Sequence, residues 1–124
     1  VFCLDKPVLI QYHILYRSGG TYHVFWTLTA QQDLKIIVGY IAVDNEIQAR
    51  KIYLDIKQKA SCLRQMPLQG RIVPELRYYN ILTYRELNNS PWRVIYKIEE
   101  KKVWVLAVLD GRRNMEDVLL DRFI

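Results

Sequence analysis

The chain has 124 residues, 51% of them hydrophobic and 25% charged, which suits one compact globular domain with one core and excludes a disordered chain. Its longest apolar runs, such as VWVLAVL at 103–109, fall well short of the roughly 20 residues a bilayer-crossing helix needs. The formal net charge of +5 draws it toward acidic partners without choosing among nucleic acid, an anionic protein surface and an acidic segment.

The opening VFCLDKPVLIQYHILYR is apolar, but it has no basic leading region and is broken by Gln11, His13 and Arg17. It reads as folded structure rather than as a secretion signal. Cys3 and Cys62 are too few for a disulfide scaffold, and with His13 and His23 they show no metal-ligand spacing. Reduced thiols, no metal and no cofactor are expected. Residues 8–29 read as a hairpin, two aromatic and β-branched runs around the Ser-Gly-Gly at 18–20. Thr29-Ala30-Gln31-Gln32 has the form of a capping box and predicts a helix start. Leu34, Ile37, Val38 and Ile41 follow as the stripe of a half-buried helix, interrupted at Asp44 and Asn45. A second stripe, Ala49, Ile52, Tyr53, Ile56, Ala60 and Leu63, carries Arg50, Lys51, Lys57 and Lys59 on its other positions and stops at Met66-Pro67.

PLQGRIVPEL, with two prolines and a glycine, reads as a wrapping loop. Three strands are expected at 81–87, 92–99 and 103–110, joined by NNSP and EKK into a meander. Asn114, with Asp117 three residues on, predicts the cap of a last helix whose apolar cover is Met115, Val118, Leu119 and Leu120. The order points to an α+β fold, a two-helix hairpin packed on one face of a small antiparallel sheet, with the other face open and partly basic.

The arginines are the main candidates for function. Arg85 and Arg93 sit on neighbouring strands. With a four-residue loop Arg85 opposes Val94, and only a bulge or slip brings the two arginines side by side. Such like charges persist there most readily under an anion. Arg112 and Arg113 follow Gly111 at the end of the third strand, beside the N–H groups that open the last helix. Two readings stay open. Either the four arginines form one patch for phosphate or carboxylate, or Arg85 and Arg93 pair with Glu86, Glu99 or Asp110 while Arg112 and Arg113 are solvated. Cleaving RNA through its own 2′-OH needs a proton acceptor, a proton donor and donors for the charged phosphorane. Arginine supplies only the last. His13 and His23 read as strand-surface residues, and Tyr78, Tyr79 and Tyr84 mainly as packing and interface material.

VFWTLTAQQDLKIIVGYIAVDN, GRIVPEL, YREL and WRVIYKIEEKKVWVLAVLDGRR, in that order from Val24 onward, resemble the RelE/ParE superfamily of toxins from toxin–antitoxin modules. The resemblance implies a toxin domain over 24–124, encoded beside an antitoxin that wraps and silences it. Residues 1–23 have no counterpart and are expected to form an N-terminal extension with an extra β-strand. RelE-like members cut mRNA in the ribosome, and ParE-like members bind and poison DNA gyrase. Carried over by position, Arg85 matches a basic residue of the RNA-cutting branch, Arg93 its strand arginine, and Arg113 the arginine of the Gly-basic-Arg turn. Leu87 stands where RelE has a second lysine, and the tail NMEDVLLDRFI has neither Tyr nor His. YIAVDN, PEL and VLAVLDGRR look more like ParE or plasmid-stabilisation proteins. The resemblance therefore implies a cytoplasmic gyrase-binding toxin, neutralised by a cognate antitoxin and able to dimerise through the toxin or the antitoxin. Arg85, Arg93, Arg112 and Arg113 would serve as anion- or target-binding residues. The alternative is a ribosome-dependent mRNA endonuclease using Arg85, Arg93 and Arg113, and a third reading is an inactive toxin that retains only antitoxin binding.

Overall fold

The computed structural model describes residues 21–124. Cys3, His13 and the first arm of the expected hairpin lie outside the described residues. The second arm is strand β1 (His23–Trp26). Helix α1 (Leu28–Ala42) follows at once, capped by Thr27, whose side chain accepts from the backbone N–H of Ala30 at 3.1 Å. The cap is thus two residues earlier than the predicted Thr29. Thr27 still donates its own N–H to the carbonyl of Val105 at 3.0 Å, so it is the last residue held extended by the sheet and the one free to cap.

At the expected interruption, Asp44 and Asn45 both return their N–H groups to Ile41. Asn45 then caps α2 (Glu46–Ser61) by accepting from Gln48 N–H at 3.0 Å. A single 3₁₀ turn, Cys62–Arg64, ends the pair. Cys62 is buried there and disulfide-bonded, against the expectation of reduced thiols. The expected wrapping loop contains two short elements, β2 (Arg71–Ile72) and α3 (Pro74–Arg77). Pro74 opens α3 where a missing N–H costs nothing.

Strands β3 (Tyr84–Asn89), β4 (Trp92–Glu99) and β5 (Lys102–Asp110) form the predicted meander. Helix α4 (Met115–Phe123) closes the chain with Asn114 as its cap. The five strands run in the order β1-β5-β4-β3-β2. The α+β arrangement holds with one amendment: β1 pairs parallel with β5, from His23↔Lys102 to Trp26↔Val105, so the sheet is mixed rather than wholly antiparallel. A parallel neighbour requires the chain to cross a sheet face before it returns, and no short-range pattern announces it.

Both faces are covered over much of the sheet, which corrects the open second face. On one side Leu34, Ile56 and Leu63 of the helix pair meet Leu87, Val94, Tyr96 and Val105. On the other, Val73, Leu76, Met115 and Leu119 meet Ile95, Ala107 and Leu109. A register shift lets both clusters close. Ile95 pairs with Ala107 but Tyr96 with Val105, so the extra residue re-aims β5 and puts Val105 and Val108 on the same side. At the β1 end of the second face Phe25, 40% exposed, stacks on Trp104 with ring centroids 5.0 Å apart.

Candidate functional site

The charged centre of the molecule is Arg93. Its Nη1 and Nη2 donate to the two carboxylate oxygens of Glu75 at 2.8 and 2.7 Å, a bidentate pairing of the strong, planar kind. Its Nε donates to Glu86 Oε1 at 2.7 Å, and Nη2 reaches the same oxygen. The second oxygen of Glu86 accepts from Arg71 Nε at 2.6 Å. Glu86 is only 2% exposed. The Arg93 hydrogen bond holds the Glu75 carboxyl below the ordinary carboxylate range despite partial burial. The same bond, helped by Glu86, raises Arg93 against the cost of its own burial. Two carboxylates therefore stand where an incoming phosphate would have to bind.

Arg85 does not join this centre. The turn between β3 and β4 spans only Ser90 and Pro91, so Asn89 pairs with Trp92, Leu87 with Val94 and Arg85 with Tyr96. That register differs by two residues from the expected Arg85–Val94 pairing, because β3 runs on through Asn89. Successive side chains on a strand point to opposite faces. Leu87, on the helix-pair face, shares its face with Arg85, whereas Ile95 and Glu86 share theirs with Arg93. The sheet itself lies between the two arginines. Arg85 Nη1 instead donates to the carbonyl of Gly70 at 2.6 Å. A Cβ on Gly70 would stand 2.4 Å from the Glu86 carbonyl oxygen and 2.7 Å from the Tyr96 hydroxyl, so glycine alone permits this approach.

The Gly-Arg-Arg corner divides in two. Arg112 folds back on Asp110, with Nε to Oδ1 at 2.9 Å and Nη2 to Oδ2 at 2.8 Å, and lies 5.5 Å from the centre of the Trp92 ring. The Arg112 guanidinium and backbone N–H together lower Asp110 to about 2. Arg113 is exposed and has no side-chain partner among the described residues. Gly111 is needed for closeness rather than for an unusual backbone angle, since its Cβ would meet the Pro91 carbonyl oxygen at 2.9 Å.

Among the described residues, the tyrosines and the histidine that could transfer a proton do not contact these arginines. Tyr79 donates its hydroxyl to Glu116, which raises its pKa above the ordinary phenol value and keeps the proton in place. Tyr84 packs its ring on Phe123. His23 pairs with Lys102 at the start of β5, at the other end of that strand from Leu109, the partner of Arg93. Among the described residues no group of His, Cys, Asp and Glu converges as a metal site, and no helix is long and apolar enough to cross a membrane.

Residue-type reasoning about arginines missed a set of uncovered apolar side chains among the described residues. On the helix pair Ile36, Tyr40, Val43 and Ile47 are 71%, 81%, 82% and 84% exposed. The signal was present in the sequence: Ile36 and Tyr40 lie off the buried stripe of α1, so this helix is apolar on more than one side. A helix apolar all round is normally enclosed, yet Ile36 and Tyr40 on this one are exposed.

The family model for the "ParE toxin of type II toxin-antitoxin system, parDE" matches residues 24–115. The chain belongs to the ParE toxin family. Its fold is shared by a solved structure described as the chromosomal ParDE TA system from P. aeruginosa, with a TM-score of 0.59 at 22% sequence identity over 71% of this chain and 94% of that one. No curated protein matches the sequence. The family is one of toxins of type II toxin–antitoxin systems.

Proposed function

We propose that the protein is a cytoplasmic toxin that acts by binding DNA gyrase and is silenced by a cognate antitoxin, and that it does not cut RNA. The observation that carries this reading is the occupancy of Arg93: four of the five N–H donors of its guanidinium are engaged by Glu75 and Glu86. The nuclease alternative needs Arg85, Arg93 and Arg113 to converge on one phosphate beside a group that takes or gives a proton. Instead Arg85 is tied to Gly70 on the face of the sheet opposite to Arg93. What the molecule does offer is contact surface, in the exposed apolar residues of the helix pair and in the exposed Arg113. Association with a second copy, directly or through the antitoxin, is compatible with that patch, since large exposed apolar areas mark protein–protein contacts.

Purified toxin added to a supercoiling assay should inhibit gyrase, and the same toxin in a translation extract should leave mRNA intact. Codon-defined mRNA cuts with unaffected supercoiling would reverse the reading. Cell growth unaffected by expression of the toxin alone would place the chain among toxins that keep only antitoxin binding.

A further inference from the structure

Where the end of α3 meets the start of α4, four side chains line a hollow of about 430 Å³: Glu75, Tyr78, Tyr79 and Glu116. Two are carboxylates, two are phenols, and none is a cation. In a chain of net charge +5 that lining runs against the composition. The two rings meet edge to face, 85° apart with their centroids separated by 5.2 Å, so they make two walls at nearly a right angle. An aromatic face carries partial negative charge. Two such faces with carboxylates beside them attract a positive head group from more than one side.

The walls are held by the fold. Tyr78 and Tyr79 continue α3, their N–H groups donating to the carbonyls of Pro74 and Leu76 at 3.1 and 3.0 Å, and Leu76 is fully buried. Asn80, at a φ of 62°, then turns the chain away in the left-handed conformation that asparagine tolerates. On this fixed backbone Tyr78 is nonetheless 83% exposed, so packing within the protein does not account for its ring. Tyr79 donates its hydroxyl to Glu116 Oε2 at 2.5 Å, which ties the second wall to α4. Arg93 orients Glu75 through both carboxylate oxygens and shares its charge with Glu86. Glu116 accepts from an uncharged phenol, which leaves its charge unopposed at that contact. A carboxylate accepts at about four lone-pair positions, so acceptor capacity remains at the hollow.

We infer that this hollow is a binding site for an organic ammonium head group, seated against the Tyr78 and Tyr79 rings with Glu116 and Glu75 as its counter-ions. The aromatic walls favour such a head group over a metal ion, since rings offer a cation their π faces and a metal ion asks for converging oxygens. The inference is independent of the gyrase and antitoxin readings. A free amine and a lysine side chain of another protein present the same head group, and the experiment separates them.

The test uses the whole toxin, with the tyrosine ring resonances followed by NMR. n-Butylammonium should shift the Tyr78 and Tyr79 rings saturably, with a Kd tighter than about 10 mM, and the uncharged n-butanol should not. Glu116→Gln keeps an acceptor for Tyr79 while removing the charge, and should weaken binding about threefold or more. Tyr78→Ala, at an exposed position, should melt within about 4 °C of the wild type and also bind about threefold or more weakly. A capped Gly-Lys-Gly peptide bound more tightly than n-butylammonium would assign the head group to a protein side chain, and binding no tighter would assign it to a free amine. Shifts that never saturate, equal shifts with n-butanol, or a folded variant of either kind that binds as the wild type does would overturn the site.

Discussion

The Arg93 centre and the outer surface of the helix pair are opposites. The first is rich in charge and closed: Arg93, Glu75, Glu86 and Arg71 satisfy one another, with the Arg93 side chain 11% and the Glu86 side chain 1% exposed. The second is apolar and open, with Tyr40 and Ile47 more than four-fifths exposed. Function is usually sought in charged side chains and structure in apolar ones. Here charges bind the fold to itself, and apolar residues are left exposed. The difference teaches that a residue's chemistry names only what it can do. Whether it still has that capacity depends on who already occupies it.

Mutations can break or sharpen that contrast. Arg93→Ala should have the largest effect, because it leaves the buried Glu86 with Arg71 as its one remaining ion-pair partner. Breaking a buried pair costs about 3–5 kcal/mol, read as a lower urea midpoint. A stably folded Arg93→Ala that had lost toxicity would show that the guanidinium serves the target after all. Tyr96→Phe comes next. The Tyr96 hydroxyl donates to the Pro67 carbonyl at 2.8 Å and accepts from Gly70 N–H at 2.9 Å. Orphaning those groups should cost about 1–3 kcal/mol and loosen the loop that Arg85 holds. Thr27→Ala removes the α1 cap and should cost about 1 kcal/mol in the same denaturation.

Acid should act on the ion pairs of the Arg93 centre and of the Gly-Arg-Arg corner as well. Glu75 and Asp110 titrate below their ordinary values in the fold, Glu75 through Arg93 and Asp110, at about 2, through Arg112. A depressed folded pKa gives stability that is fully present above the unfolded value, about pH 4, and is lost as pH falls through the folded one. Stability measured by thermal melting should therefore decline from roughly pH 4 toward pH 2, and Glu75→Gln should flatten the upper part of that decline. The smallest effect on stability belongs to the open region. Ile36→Glu and Tyr40→Glu should change stability by no more than about 0.5 kcal/mol, yet impair growth arrest or antitoxin capture in cells. If they unfolded the protein while partner binding stayed intact, the surface would be structural and the contrast would fail.

Much of the fold was legible in short-range pattern. The stripe from Leu34 to Ile41, the break at Asp44-Asn45, the stripe from Ala49 to Leu63 and the alternation of the last three strands record local rules of helices and strands. Asn114 was legible as a cap because the capping hydrogen bond spans only three residues. The resemblance of YIAVDN, PEL and VLAVLDGRR carried the reading to the family. The candidate site was legible as a set of residues but not as a site. The inventory of arginines was right, and the pairing of Arg93 with Glu86 belonged to one of its two readings, but that reading left Arg112 solvated, whereas it is held by Asp110. Glu75 went unnamed because it reaches Arg93 from α3, inside a segment whose prolines and glycine read as loop. Thr29 was favoured over Thr27 because the capping box is visible in the string, while the hold of Val105 on Thr27 is not.

By itself the sequence determined the types of the longer elements, the break between the two helices, the cap of the last helix, the family and the chemical kinds of side chain present, since propensity, periodicity and capping act within a few residues along the chain. Only the tertiary structure decided that β1 runs parallel beside β5, that α3 and α4 close the second face, and that Arg85 and Arg93 stand on opposite sides of the sheet. Each of these depends on strand register and on contacts between segments far apart in the chain. A shift of one residue inverts every side chain on a strand, and the energy that selects one register comes from the burial of whole faces rather than from any single residue.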